Sequence, residues 1–110
     1  MDKLGRILMV EDDPKDVELS LMALEDYNLA NEVIVLGDGR GNRTDPRTDV
    51  VGRLSQRCKR ILWLNPEYRS AWGTGDSDMY RYAPFCNLVT VCNTLRHLER
   101  VITDILEDAA

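Results

Sequence analysis

A chain of 110 residues, 44% hydrophobic and 30% charged, fits one domain able to bury roughly two-thirds of the surface its unfolded form exposes. It has no run of about 18 apolar residues to cross a membrane and no N-terminal signal-type apolar stretch, so a cytoplasmic location is expected. The net charge of −5 argues against nucleic acid as a partner, since that footprint needs a more basic domain.

Arg6-Ile7-Leu8-Met9-Val10 is a continuous apolar run ending in Glu11-Asp12-Asp13, as a strand buried on both faces would. Asp13-Pro14-Lys15-Asp16 supplies a helix start, with Asp13 as cap and Pro14 in the first helical position. Val17, Leu21 and Leu24 form the stripe of a helix reaching about Tyr27, closed by Asn28-Leu29-Ala30-Asn31. A second strand follows from about Val33 to Gly37. Gly37 to Pro46 is a long polar turn, after which Pro46 opens a helix through Val50, Val51, Leu54 and Cys58, capped by Thr44 or Asp45.

Arg60 to Asn65 reads as a third buried strand stopped by Pro66. Glu67 to Cys86 is rich in turn formers, with one short helix near Ser77 to Tyr82 ended by Pro84. Leu88 to Cys92 makes a fourth strand. Asn93 or Thr94 caps a last helix striped by Leu95, Leu98, Val101, Ile102, Ile105 and Leu106. This alternation predicts a single-domain α/β fold, a three-layer α/β/α sandwich of flavodoxin-like or Rossmann-like type around a four-stranded parallel sheet. The strand order expected is 2-1-3-4. The alternative order, 1-2-3-4, would put the helices on one face and leave the other apolar, favouring dimerisation. A monomer or weak homodimer is therefore expected.

Acidity concentrates in the first third: Met1 to Glu32 holds nine acids and three bases, and the remainder ten acids and eleven bases. Arg53, Arg57 and Arg60 recur at helical spacing and read as a solvated face. Cys58, Cys86 and Cys92 are three thiols without CxxC spacing, and the chain has one His. They read as reduced and mostly buried, and not as a soft-metal centre.

The run Ile7-Leu8-Met9-Val10-Glu11-Asp12-Asp13-Pro14-Lys15-Asp16-Val17-Glu18-Leu19, with Asn28-Leu29-Ala30-Asn31-Glu32-Val33, resembles the opening of a bacterial response-regulator receiver domain of the phytochrome-partner type. That resemblance covers residues 1–33 and implies an acidic pair that holds Mg²⁺ beside a phosphoryl-accepting aspartate at the end of the third strand. The later segments Val35-Leu36-Gly37-Asp38-Gly39-Arg40, Arg57 to Glu67, Trp72 to Ser77, Arg81-Tyr82-Ala83-Pro84 and Cys92 to Arg100 resemble the C-terminal half of a von Willebrand factor A-type domain. The resemblance is to the kind found in bacterial proteins associated with carbon monoxide dehydrogenase maturation. This second resemblance covers residues 34–107 and implies that Asp38 belongs to a metal-ion-dependent adhesion site. Together the two imply a composite chain, natural or engineered, joined within residues 29–36.

Each pattern is incomplete. Asn65 stands where the receiver needs its phosphoacceptor, an amide cannot form the acyl phosphate, and no lysine occurs after Lys59. The DxSxS motif of the adhesion site is replaced by Glu11-Asp12-Asp13-Pro14-Lys15. No catalytic activity and no required cofactor are expected. What survives is a candidate metal site: if the first two strands are neighbours, Asp12, Asp13 and Asp38 share the carboxyl edge of the sheet and make an oxygen-rich pocket for Mg²⁺ or Ca²⁺. The alternative is a solvated strand edge with Asp13 as a helix cap. His97 reads as structural, Trp63 as core, and Trp72 with Tyr68, Tyr80 and Tyr82 either as a partly exposed aromatic patch or as a loop folded over the sheet edge.

Overall fold

The computed structural model describes residues 7–27, 32–40 and 48–109. The helix closure expected at residues 28–31, the polar turn beyond Arg40, the capping expected of Thr44 or Asp45 and residues 29–31 of the expected junction lie outside them. The elements run β1 (Ile7–Glu11), α1 (Pro14–Tyr27), β2 (Glu32–Leu36), α2 (Thr48–Arg57), β3 (Arg60–Asn65), α3 (Met79–Tyr82), β4 (Leu88–Val91) and α4 (Leu95–Ala109). Short 3-10 turns occupy Arg69–Ala71 and Ala83–Phe85. The short helix expected to end at Pro84 instead passes into the second of these turns, because a proline is compatible with the first positions of a helical turn.

All four strands are parallel, in the order β1-β2-β3-β4. This corrects the expected order 2-1-3-4 in favour of its alternative. The physical reason lies in β2, whose Val33, Ile34 and Val35 are buried on both faces and need a neighbour on each side, whereas Ile7, Met9 and Glu11 of β1 are exposed. A run of apolar residues marks a strand but does not say whether it is central or at an edge.

Right-handed crossovers then place α1, α2 and α3 on one face. Val17 and Leu21 of α1, Val50, Val51 and Leu54 of α2, and Met79 and Tyr82 of α3 pack with Val10, Val33, Val35, Ile61 and Trp63. Trp63, 1% exposed, stacks on Tyr82 with ring centroids 5.0 Å apart, a pairing worth about 0.5–1.5 kcal/mol beyond its buried area. The second face is not left bare. α4 crosses back over it, and Val101, Ile105 and Leu98 cover Ile34, Leu62 and Leu64. The apolar face expected of this strand order therefore shrinks to the β1 side, where Met9 is 58% exposed.

The cap of α4 is settled in favour of Thr94, whose Oγ1 accepts the His97 N–H at 3.1 Å. His97 answers through Nδ1, which accepts the Asn93 N–H at 3.3 Å. Arg60 does not belong to the helical basic face: it lies in β3 and pairs with Glu32 of β2. Among the described residues, no helix is long and apolar enough to cross a membrane.

Candidate functional site

The carboxyl ends of β1, β2 and β3 meet at the segment Gly37-Asp38-Gly39-Arg40, and nearly every backbone polar group of this turn has a fixed partner. The Gly37 N–H donates to the Leu64 carbonyl at 3.1 Å, and the Gly37 carbonyl accepts the Trp63 indole N–H at 2.9 Å. The Asp38 carbonyl accepts the Asn65 amide at 3.2 Å. The Gly39 carbonyl accepts the Asp78 N–H at 2.7 Å. Gly39 itself has φ of +73°, a conformation glycine adopts without penalty.

Asp12 is tied into the same turn from β1. Its N–H donates to the Leu36 carbonyl at 3.0 Å, and its Oδ2 accepts the Gly39 N–H at 2.9 Å. The carboxylate rests directly against Gly37. Burial, and after it the charges of Asp38 and Asp13, push the Asp12 carboxyl above its usual value, while the Gly39 hydrogen bond works in the other direction. The strand adjacency that the candidate site requires is present, and both Asp12 and Asp38 bond the backbone of the same turn.

Asp13 plays a different part. Its Oδ1 accepts the Lys15 N–H at 2.8 Å and its carbonyl takes the Val17 N–H at 3.1 Å, so it caps α1. Asp38 uses Oδ1 to accept the Arg40 N–H at 2.9 Å. Each of the three carboxylates thus has one oxygen committed to backbone. Among the described residues, no group of three His, Cys, Asp or Glu side chains is placed to hold a metal together.

Several contributors were not evident from sequence. The Arg40 guanidinium meets Glu67, with Nε to Oε1 at 3.0 Å, and Asp76, with a terminal nitrogen to Oδ1 at 2.9 Å. It also donates to the Thr74 carbonyl and so fastens the connection after β3 to the Gly37–Arg40 turn. Opposite charges separated by 27 and 36 positions carry no local signal. Asn65, fully buried, donates to the Asp38 carbonyl and to Met79 Sδ and accepts the Glu67 N–H at 2.8 Å. An asparagine closing an apolar strand just before a proline was the available clue to this role.

The aromatic patch resolves into two kinds of residue. Trp72 and Tyr82 are buried, Trp72 donating its indole N–H to the Glu67 carbonyl and contacting Tyr80 edge-on. Tyr68 and Tyr80 remain exposed. The long connection has folded over the sheet edge, which was the second of the two readings.

Residues 22–101 match a protein family described as VWA domain containing CoxE-like protein. The match begins inside α1, ahead of the junction expected at residues 29–36, and nothing in the comparisons corresponds to a receiver segment. No curated protein and no solved structure matches the chain.

Proposed function

This chain belongs to the family of VWA domain-containing CoxE-like proteins, and from that premise we propose that it is a non-catalytic protein-interaction domain that docks its partner at the carboxyl edge of the sheet. The docking point is a Mg²⁺ ion taken up by Asp12 and Asp38. The observation that carries this reading is that carboxylates ending two neighbouring strands are fixed on one turn, Asp12 Oδ2 by the Gly39 N–H at 2.9 Å and Asp38 Oδ1 by the next amide, the Arg40 N–H, at 2.9 Å. Bringing like charges together costs free energy, and a dication would offset it. Two carboxylates suit Mg²⁺, which keeps several waters, better than Ca²⁺, which takes six to eight oxygens. When bound, the ion would supply a Lewis-acidic position for an oxygen of the partner.

The chain's own residues supply the platform. Gly37 gives the Asp12 carboxylate room, Gly39 orients it, Asn65 and Trp63 hold the turn from beneath, and Arg40 anchors the flanking loop. Calorimetric titration with Mg²⁺ tests the reading: the protein is expected to release or absorb heat saturably and Asp38→Ala to lose that signal. Absence of heat, or the same heat in both, overturns it. A phosphoryl-accepting role has less support, because Asn65 stands at the strand end where the acceptor belongs and is spent on three structural bonds. Incubation with a small phosphodonor is expected to add no phosphoryl mass. A composite origin for the chain rests on the resemblance of residues 1–33 alone.

A further inference from the structure

β1 is an outer strand of the sheet, and among the described residues its one ladder is with β2. The Asp12 N–H donates to the Leu36 carbonyl, and along a strand the backbone polar groups of successive residues point to alternate sides. Leu8 and Val10 therefore face β2 with Asp12, while the N–H and C=O of Ile7, Met9 and Glu11 point away from the sheet. The devices that usually blunt such an edge are missing from β1: it has no proline or lysine, and its register with β2 runs from Ile7 to Glu11 without a bulge. Its first four side chains are apolar, and Ile7 and Met9 stay exposed on the α4 side.

A row of outward donors and acceptors calls for an extended segment, since another strand satisfies them in register. Charge selects which segment. In the sequence, Lys3 and Arg6 against Asp2 precede the strand, whereas its own Glu11 and then Asp12 and Asp13 close it, so the stretch is basic on entry and acidic on exit. A strand of the same polarity running antiparallel sets each acidic flank against a basic one. Running parallel, it would set Glu11 against Glu11, and like charges directly opposite destabilise a pair. β4, the other outer strand, has no such polarity: Asn87 precedes it and Cys92-Asn93 follow it.

We propose that the free edge of β1 pairs with β1 of a second copy of this chain, antiparallel about a two-fold axis at Met9. In that register the outward backbone groups of Ile7, Met9 and Glu11 meet as hydrogen-bonded pairs, Met9 with Met9 and Ile7 with Glu11. Leu8 of each copy lies opposite Val10 of the other, and Ile7 opposite the aliphatic stem of Glu11, so the patch is self-complementary, as an isologous contact must be. The helix layer leaves room for it. α1 packs over Val10 of β1 and Val33 of β2, so with strands about 4.8 Å apart the two α1 helices come to about 10 Å, an ordinary packing distance. The contact is separate from the Gly37–Arg40 turn and does not depend on Mg²⁺.

Sedimentation equilibrium together with amide hydrogen exchange tests the proposal. Between about 10 μM and about 1 mM the mass is expected to rise from that of one chain towards that of two, with the Met9 and Glu11 amides exchanging about tenfold more slowly at the upper end. Met9→Lys sets two ammonium groups beside the axis, and Met9→Pro removes an outward N–H but no bond to β2. Both are expected to stay monomeric, while Ile102→Lys on α4 and Leu88→Lys on β4 associate as the parent does. A single-chain mass throughout, unchanged association in Met9→Lys, or its loss in folded Ile102→Lys or Leu88→Lys overturns the proposal. So does exchange of the Met9 and Glu11 amides that is the same at both concentrations, whether fast, which puts the contact elsewhere, or slow, which means the edge is already covered within one chain. Should the Met9 variants fail to fold, that exchange measurement on the parent decides.

Discussion

A Cβ placed on Gly37 would stand 2.1 Å from Cγ of Asp12: the Asp12 carboxylate fills the space that any other residue at position 37 would need. Gly37→Ala must therefore push the carboxylate off the turn and leave the Gly39 N–H without its acceptor. A loss of about 1–3 kcal/mol is expected, the usual cost of overpacking, read as a lower urea midpoint. The same variant is expected to lose Mg²⁺ heat along with Asp38→Ala. An unchanged midpoint would show that Asp12 has an equally good position elsewhere.

The raised Asp12 carboxyl sets a direction for pH dependence. The folded protein holds this proton more tightly than the unfolded chain, whose carboxyl titrates near its ordinary 3.8. Stability contributed by this group is thus complete below that value and is lost as pH rises through the folded-state value above it. Asp12→Asn keeps an acceptor for Gly39 and cannot ionise. In metal-free buffer it is expected to match or exceed the parent in thermal stability at neutral pH, with the advantage vanishing in acid. A deficit of constant size at both ends of the range would contradict this assignment.

Asn65→Asp restores the residue type a phosphoacceptor would need, at the expense of the fold. The amide donor to the Asp38 carbonyl and to Met79 disappears, and a carboxylate is placed in a fully buried position. A destabilisation of about 1–3 kcal/mol is expected from the unsatisfied partners, increasing when the new group ionises. Equilibrium urea unfolding is the measurement, and parent-like stability would show that the three Asn65 bonds contribute little.

Burial pushes the Cys58 thiol up to about 11 and the Cys86 thiol up to about 12, the latter with a further contribution from Cys58. For Cys58 this leaves roughly a hundredfold fewer thiolates than its ordinary value of 9.0 would give, and the thiolate is the nucleophile. Iodoacetamide at mildly alkaline pH is expected to modify both only after denaturant is added, followed by peptide mass spectrometry. Rapid labelling of either in the native protein would show that its site opens easily.

Strands and helices were legible because their apolar residues follow simple periods, and Asp38 because an aspartate between glycines at a strand end is a local signal. The nearness of Asp12 to Asp38 was also within reach, since β1 and β2 are neighbours in either strand order considered. The order itself was not. Ile7-Leu8-Met9-Val10 is as apolar as a central strand, and only the three-dimensional arrangement reveals that Ile7 and Met9 face outward. The Trp63 indole, the Asn65 amide nitrogen and the Arg40 guanidinium meet partners 14 to 36 residues away, so no short window along the chain contains both halves of those interactions.

The sequential order of the sheet bears on how the chain acquires its structure. Met9 pairs with Ile34, Ile34 with Leu62, and Leu62 with Leu88, at separations of 25, 28 and 26 residues. Each new strand closes one loop of nearly constant length onto the edge just formed, and no pairing has to wait for a segment further downstream. Loop-closure entropy is thus met in equal small instalments, which favours quick assembly for a parallel sheet. An order with β1 in the centre would have required β1 to hold its second edge open until β3 arrived, a whole strand–helix unit later.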